Sequence, residues 1–124
     1  MKIQKFEEIL SWQKSKELTL IIYKIFKDNK DLYFKSQIQR AAISISNNIA
    51  EGFERSTNKE LTHFLFISKG SCAEIRSMLY IALELNYISK DEFNFLYGEL
   101  IEISKLLSGF IKHLSLKLLT FNYD

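Results

Sequence analysis

The chain has 124 residues, 47% of them hydrophobic and 26% charged, with a net charge of +2. A chain of that size is one domain and buries a core without disulfides or metal. The small net charge excludes a strongly basic nucleic-acid arm, and the lone Cys72 excludes an internal disulfide. No apolar run approaches the ~20 residues that span a bilayer. The opening MKIQKFEEIL puts charges where a secretory leader needs an apolar run. A reducing cytoplasm is therefore expected. Proline is absent and glycine occurs four times, against about six and about nine at average usage. That depletion favours long helices over strands and tight turns.

Four helices are expected. The first covers about residues 5–27, where Phe6, Ile9, Leu10, Gln13, Leu18, Ile21, Ile22, Ile25 and Phe26 recur at helical spacing. Asp28-Asn29-Lys30-Asp31 breaks it, with Asn29 suited to the left-handed conformation that ends a helix. The second covers about 32–54. Its segment SQIQRAAISISNNIAEGFER, Ser36–Arg55, carries two unlike stripes. Ile38, Ala42, Ile45, Ile49 and Phe53 form an apolar face fit for a bundle core. Gln37, Arg40, Ser44, Asn47, Asn48, Glu51 and Arg55 lie roughly opposite. Asn and Ser are poor helix formers and gain nothing on a solvated face. They read instead as a surface for close approach and directional hydrogen bonds.

The third helix covers about 58–86. Thr57 and Glu60 form a capping-box pattern at its start, and Asn86 is placed to close it. Leu61, Phe64, Leu65, Ser68, Cys72, Ile75, Leu79, Ala82 and Leu83 are expected to face inward, and Gly70-Ser71 reads as a point of close helix approach. The fourth covers about 90–116, after a second capping box at Ser89–Glu92. Phe93, Leu96, Leu100, Ile103, Leu107, Phe110, Ile111 and Leu114 form its stripe. The tail, 118–124, is apolar and uncapped, and is expected to fray or to pack on a neighbour. Long helices with short connections define an all-α, up-down-up-down antiparallel four-helix bundle in one domain, 1–124.

Chemistry-bearing patterns are thin. Glu60-Leu61-Thr62-His63 has the Glu-x-x-His spacing of di-iron bundles. A second copy is missing, because Phe110 stands three residues before His113, and Glu60 already serves the cap. Cys72 lies on the apolar face as a small hydrophobe. The glycines at 52, 70, 98 and 109 form no phosphate loop. No enzyme activity, metal or cofactor is expected. The basic excess sits in the first half, where Lys14, Lys24, Lys27, Lys30, Lys35, Arg40 and Arg55 come from the first two helices. These are the candidates for phosphate contact, since such contacts need Lys and Arg and accumulate with number.

SQIQRAA at 36–42, Ser44-Ile45 and NIAEG at 48–52 resemble the four-helix-bundle proteins encoded in intervening sequences of bacterial 23S ribosomal RNA genes. Trp12-Gln13, Lys59-Glu60, Phe64-Leu65, Gly70-Ser71 and Glu74 extend the resemblance over nearly the whole chain. It implies a homopentameric ring, with ribosomal RNA or other nucleic acid as partner. The family is similar in fold to the accessory variability protein of diversity-generating retroelements. Two departures stand out: Ser46 where many members have proline, and fewer arginines around the second helix. With the ring in view, the polar stripe becomes a subunit interface. Arg40 of one copy would meet Glu51 of the next, a head-to-tail contact that closes a ring. The alternative is an adaptor ring for a protein partner with no nucleic-acid affinity.

Overall fold

The computed structural model describes residues 2–123, with side chains described for residues 2–116. Four α-helices form the chain: α1, Leu10–Ile25; α2, Leu32–Phe53; α3, Asn58–Glu84; and α4, Lys90–Tyr123. No strand occurs among the described residues. Each helix packs on its neighbours in sequence, α2 on α3 most extensively, and α1 also touches α4.

The start of α1 departs from the expected helix over 5–27. Phe6–Glu8 is a 3-10 turn, and Ile9 is extended, with φ −77° and ψ 122°. The break serves packing. It buries Ile9 while Phe6 folds back edge-on to Trp12, with ring centroids 5.2 Å apart. The Gln13 side chain holds the turn by donating to the Glu7 carbonyl at 2.8 Å. At the other end Asn29 is not left-handed. Its Oδ1 accepts from the Asp31 N–H at 2.8 Å in a local turn. The one positive-φ residue among those described is Asn86, at 59°. It closes α3 as expected: the Asn86 N–H reaches the Leu83 carbonyl and the Tyr87 N–H the Ala82 carbonyl, at 3.1 and 2.8 Å.

Capping fixes the other ends. Thr57 Oγ1 accepts from the Glu60 N–H at 3.1 Å. Ser89 and Glu92 cap reciprocally, Glu92 N–H to Ser89 Oγ and Ser89 N–H to Glu92 Oε1. The chain then stays helical to Tyr123, past the expected end near 116. Residues 118–123 contain no Gly or Pro to stop a helix. The packing expected of that tail lies outside the described side chains.

The core stripes fall where helical periodicity puts them. Ile38, Ala42, Ile45 and Ile49 of α2 meet Leu65, Cys72, Ile75 and Leu79 of α3 and Leu96, Leu100, Ile103 and Leu107 of α4 in one buried cluster. The close approach expected at Gly70 is instead at Gly52. A Cβ on Gly52 would sit 2.6 Å from Phe64 Cβ, whereas one on Gly70 would meet nothing within 4 Å. Hydroxyls line the same seam. Ser68 Oγ donates to the Ile45 carbonyl at 2.9 Å, and Ser71 Oγ to Ser44 Oγ at 2.9 Å. On the other flank Thr19 Oγ1 donates to the Ala42 carbonyl at 3.2 Å, joining α1 to α2.

Asp31 ties two connections together. Its Oδ1 accepts from the Phe34 N–H at 3.1 Å and caps α2, and its Oδ2 accepts from the Tyr87 hydroxyl at 2.6 Å. The tyrosine bond, then the backbone bond, lower the carboxyl pKa, and the same bond raises that of Tyr87. A lowered carboxyl contributes stability above about pH 4 that is lost as pH falls through the folded value; a raised phenol contributes below about pH 10 and loses it as pH rises. Tyr87→Phe should therefore lower the melting temperature at neutral pH. The gap to the parent should close on acidification below pH ~4, and a gap independent of pH would refute the pairing.

Candidate interaction surface

The polar stripe of α2 divides on folding. Ser44 and Asn48 turn toward α3: Asn48 Nδ2 donates to the Ser44 carbonyl at 2.8 Å and to Ser44 Oγ at 2.9 Å, and Ser71 donates to that same hydroxyl. Gln37 is half-buried, while Arg40, Asn47, Glu51 and Arg55 are exposed. Glu51 accepts from Arg55, just past the end of α2, at 2.9 Å. Arg55 also lies 3.9 Å from Glu60 and 4.8 Å above the Phe64 ring, so it braces the α2–α3 connection. Arg40 and Glu51 are eleven residues apart and do not meet in one copy.

The basic candidates divide as well. Lys14 forms an ion pair with Glu102 of α4 at 3.2 Å. Lys24, Lys27 and Lys30 come from the end of α1 and the following connection, and Lys35 Nζ donates to the Lys27 carbonyl at 2.7 Å. These four gather at one end, among Asp28 and Asp31. Arg40 is about 8 Å further along α2, and Arg55 about 30 Å from Lys35 at 1.5 Å per residue. The sequence candidates thus yield one basic end rather than one continuous stripe.

The other chemistry-bearing residues are quiet. Cys72 is fully buried, and desolvation pushes its thiol up to about 11, so it stays protonated at neutral pH. His63 stacks edge-on to Phe64 at 5.6 Å. Among the described residues no three His, Cys, Asp or Glu side chains converge as metal ligands, and no helix is long and apolar enough to cross a membrane.

One surface escaped the sequence reading. The outward face of α3 between Phe66 and Ile81 exposes Phe66, Ile67, Gly70, Ala73, Glu74, Ser77, Tyr80 and Ile81, with the Lys69 amine 5.9 Å over the Phe66 ring and the Tyr80 ring against Phe93 and Tyr97 of α4. By contrast, α4 exposes Lys90, Asp91, Glu102, Lys105 and Lys112. The signal was present as a second apolar stripe on a helix that already had one.

Four helices around one core, with a polar seam and one basic end, define an all-α protein of the small helical-bundle kind. The chain belongs to the 23S rRNA-intervening sequence protein family, whose family model matches residues 7–109. A similar solved structure, at 1.70 Å, is a protein of unknown function of the S23 ribosomal protein family from Bacteroides thetaiotaomicron. It is 26% identical, with a TM-score of 0.78, and the match covers 83% of this chain and 99% of that one. No curated protein matches.

Proposed function

We propose that this chain is a non-enzymatic, homo-oligomeric binding protein of the cytoplasm that contacts nucleic acid, ribosomal RNA in the first place, through its basic end. The observation that carries this reading is the gathering of Lys24, Lys27, Lys30 and Lys35 around the α1–α2 connection. None of the four has a carboxylate within ion-pair distance among the described residues. The short connections and the α1–α4 contact support an up-down-up-down antiparallel bundle. The family supports a ring, a homopentamer, in which the exposed Arg40 reaches Glu51 of the next copy in exchange for part of the Arg55 pairing.

Phosphate contacts release counterions, so affinity should fall with salt at a log–log slope of roughly −3 for four lysines on a single strand. A filter-binding titration with ribosomal RNA fragments measures it, and Lys27→Ala with Lys30→Ala should flatten the slope by about half. No retention even at low salt overturns the nucleic-acid reading in favour of a protein adaptor. In the same preparation, Glu51→Lys should lower the particle mass in light scattering with helical circular dichroism intact; an unchanged mass removes α2 from the ring contact.

A further inference from the structure

We propose that the cleft at the end of the bundle away from the lysines binds a small carboxylate with an apolar body, of the medium-chain fatty acid class. The inference goes beyond nucleic-acid contact and the ring contact on α2, and it depends on neither.

The cleft exists because α1 falls short. Apolar residues recur at helical spacing from Phe6, yet α1 starts only at Leu10, after the 3-10 turn and the extended Ile9. A start near residue 5 would add about 7 Å of helix at 1.5 Å per residue. At this end α2 is pressed against α3, where Gly52 lies on Leu61 and Phe64, and α4 passes with Phe110 and Leu114. The corner that α1 does not reach is crossed by the chain at Lys2 and Ile3, and it holds a cleft of about 480 Å³. Small-molecule sites occupy roughly 300–1,000 Å³.

The walls are apolar. Phe53 and Phe110 are half-buried, Leu61 and Leu114 are buried, and Ile3 stands at the mouth, 38% exposed. Against them are set three polar side chains: the Lys2 ammonium, the Asn58 amide and the His113 imidazole. Among the described residues none of the three side chains makes a hydrogen bond or an ion pair. No carboxylate lines this cleft, whereas Asp28 and Asp31 stand among the lysines at the other end. An apolar recess on which a few unpaired polar groups converge is the usual form of a small-molecule site.

The charge selects the head group. Lys2 brings one full positive charge, which one carboxylate matches. Asn58 Nδ2 and a His113 ring N–H are further donors for its two oxygens. An amine head would be repelled by Lys2. A nucleotide carries more polar surface than walls of this kind can take out of water without loss.

The test is calorimetric titration of the full chain with decanoate, with decylamine and acetate as comparisons. Decanoate should saturate at one per chain. Decylamine has the tail with the opposite charge and acetate the head without the tail, and each should bind at least tenfold more weakly. Lys2 and Ile3 are exposed, so Lys2→Ala and Ile3→Asp should keep the circular dichroism and melting of the parent. Each should weaken decanoate about tenfold, through loss of a charged hydrogen bond or gain of a like charge. Lys105→Ala, exposed on α4 outside the cleft, should bind as the parent does. Excess decanoate should raise the melting temperature of the parent and not that of Ile3→Asp. Equal affinity for decanoate and decylamine overturns the carboxylate assignment. No saturable binding, or affinity unmoved by both Lys2→Ala and Ile3→Asp, overturns the site. Salt-dependent RNA retention and the Glu51→Lys mass are separate readouts, so a failure there is read apart from a failure here.

Discussion

Replacing Ile45 with aspartate should unfold the chain. Ile45 has no exposed surface and sits at the centre of α2, within the cluster shared with α3 and α4. Removing a buried isoleucine side chain costs about 2–5 kcal/mol by itself. The incoming carboxylate finds no cation there, so it must take up a proton or remain charged out of water, at several kcal/mol more. The sum is comparable to the 5–15 kcal/mol that a domain has in total. Circular dichroism at room temperature should show loss of helix, and hydrogen exchange should lose its slow amides. Ile45→Val, which keeps shape and polarity, should cost about 1 kcal/mol and leave a cooperative melt. A cooperative melt for Ile45→Asp near the parent temperature would show that this position is not core.

The next largest effect is expected from a methyl group. Alanine is a better helix former than glycine by about 1 kcal/mol, so propensity alone has Gly52→Ala stabilising. Packing reverses the sign. The new Cβ would stand 2.6 Å from Phe64 Cβ and 3.1 Å from Leu61 Cδ1. Phe64 Cβ is anchored directly to the α3 backbone and cannot rotate away. The helices would have to part, stretching the serine hydrogen bonds along the seam. Overpacking of this kind costs about 1–3 kcal/mol. Less the ~1 kcal/mol of propensity, this leaves a net destabilisation of up to about 2 kcal/mol, which should lower the melting temperature by several degrees. Gly98 is the control: its Cβ would meet nothing within 4 Å, so Gly98→Ala should raise the melting temperature. Gly52→Ala melting at or above the parent would mean that the α2–α3 seam gives way at no cost.

Much of this fold was legible because one physical signal, apolar residues at helical spacing, dominates all four helices. The end of α3 at Asn86 and the Ser89–Glu92 box were legible because each motif is local. What periodicity does not carry is the angle at which a neighbouring helix arrives. On α2 the buried arc is wider than the apolar stripe, since Ser44 bonds to Ser71 of α3 and Gly52 lies against Leu61 and Phe64. The short polar chains of Ser44 and Asn48 mark contact without saying with what, and within one copy they bond to each other and to Ser71 of α3. The same gap put the close approach at Gly70 rather than Gly52. Asn29 and Asn86 are the same residue type in similar settings, and only the backbone tells them apart. For the candidate site, the division of the seven cations into a basic end, an α1–α4 ion pair and an α2–α3 brace, with Arg40 apart, needs the three-dimensional arrangement.

The hydroxyls between α2 and α3 have a mechanical consequence. Ser68 engages a backbone carbonyl and Ser71 a side-chain hydroxyl at adjacent levels of α2. A slide of one helical turn along the seam would strand both donors at once, and a smaller slide would leave neither with an acceptor. Apolar side chains alone tolerate such sliding, because dispersion has little directional preference. At about 1 kcal/mol each, the two directional bonds thereby hold α2 and α3 in phase along the seam.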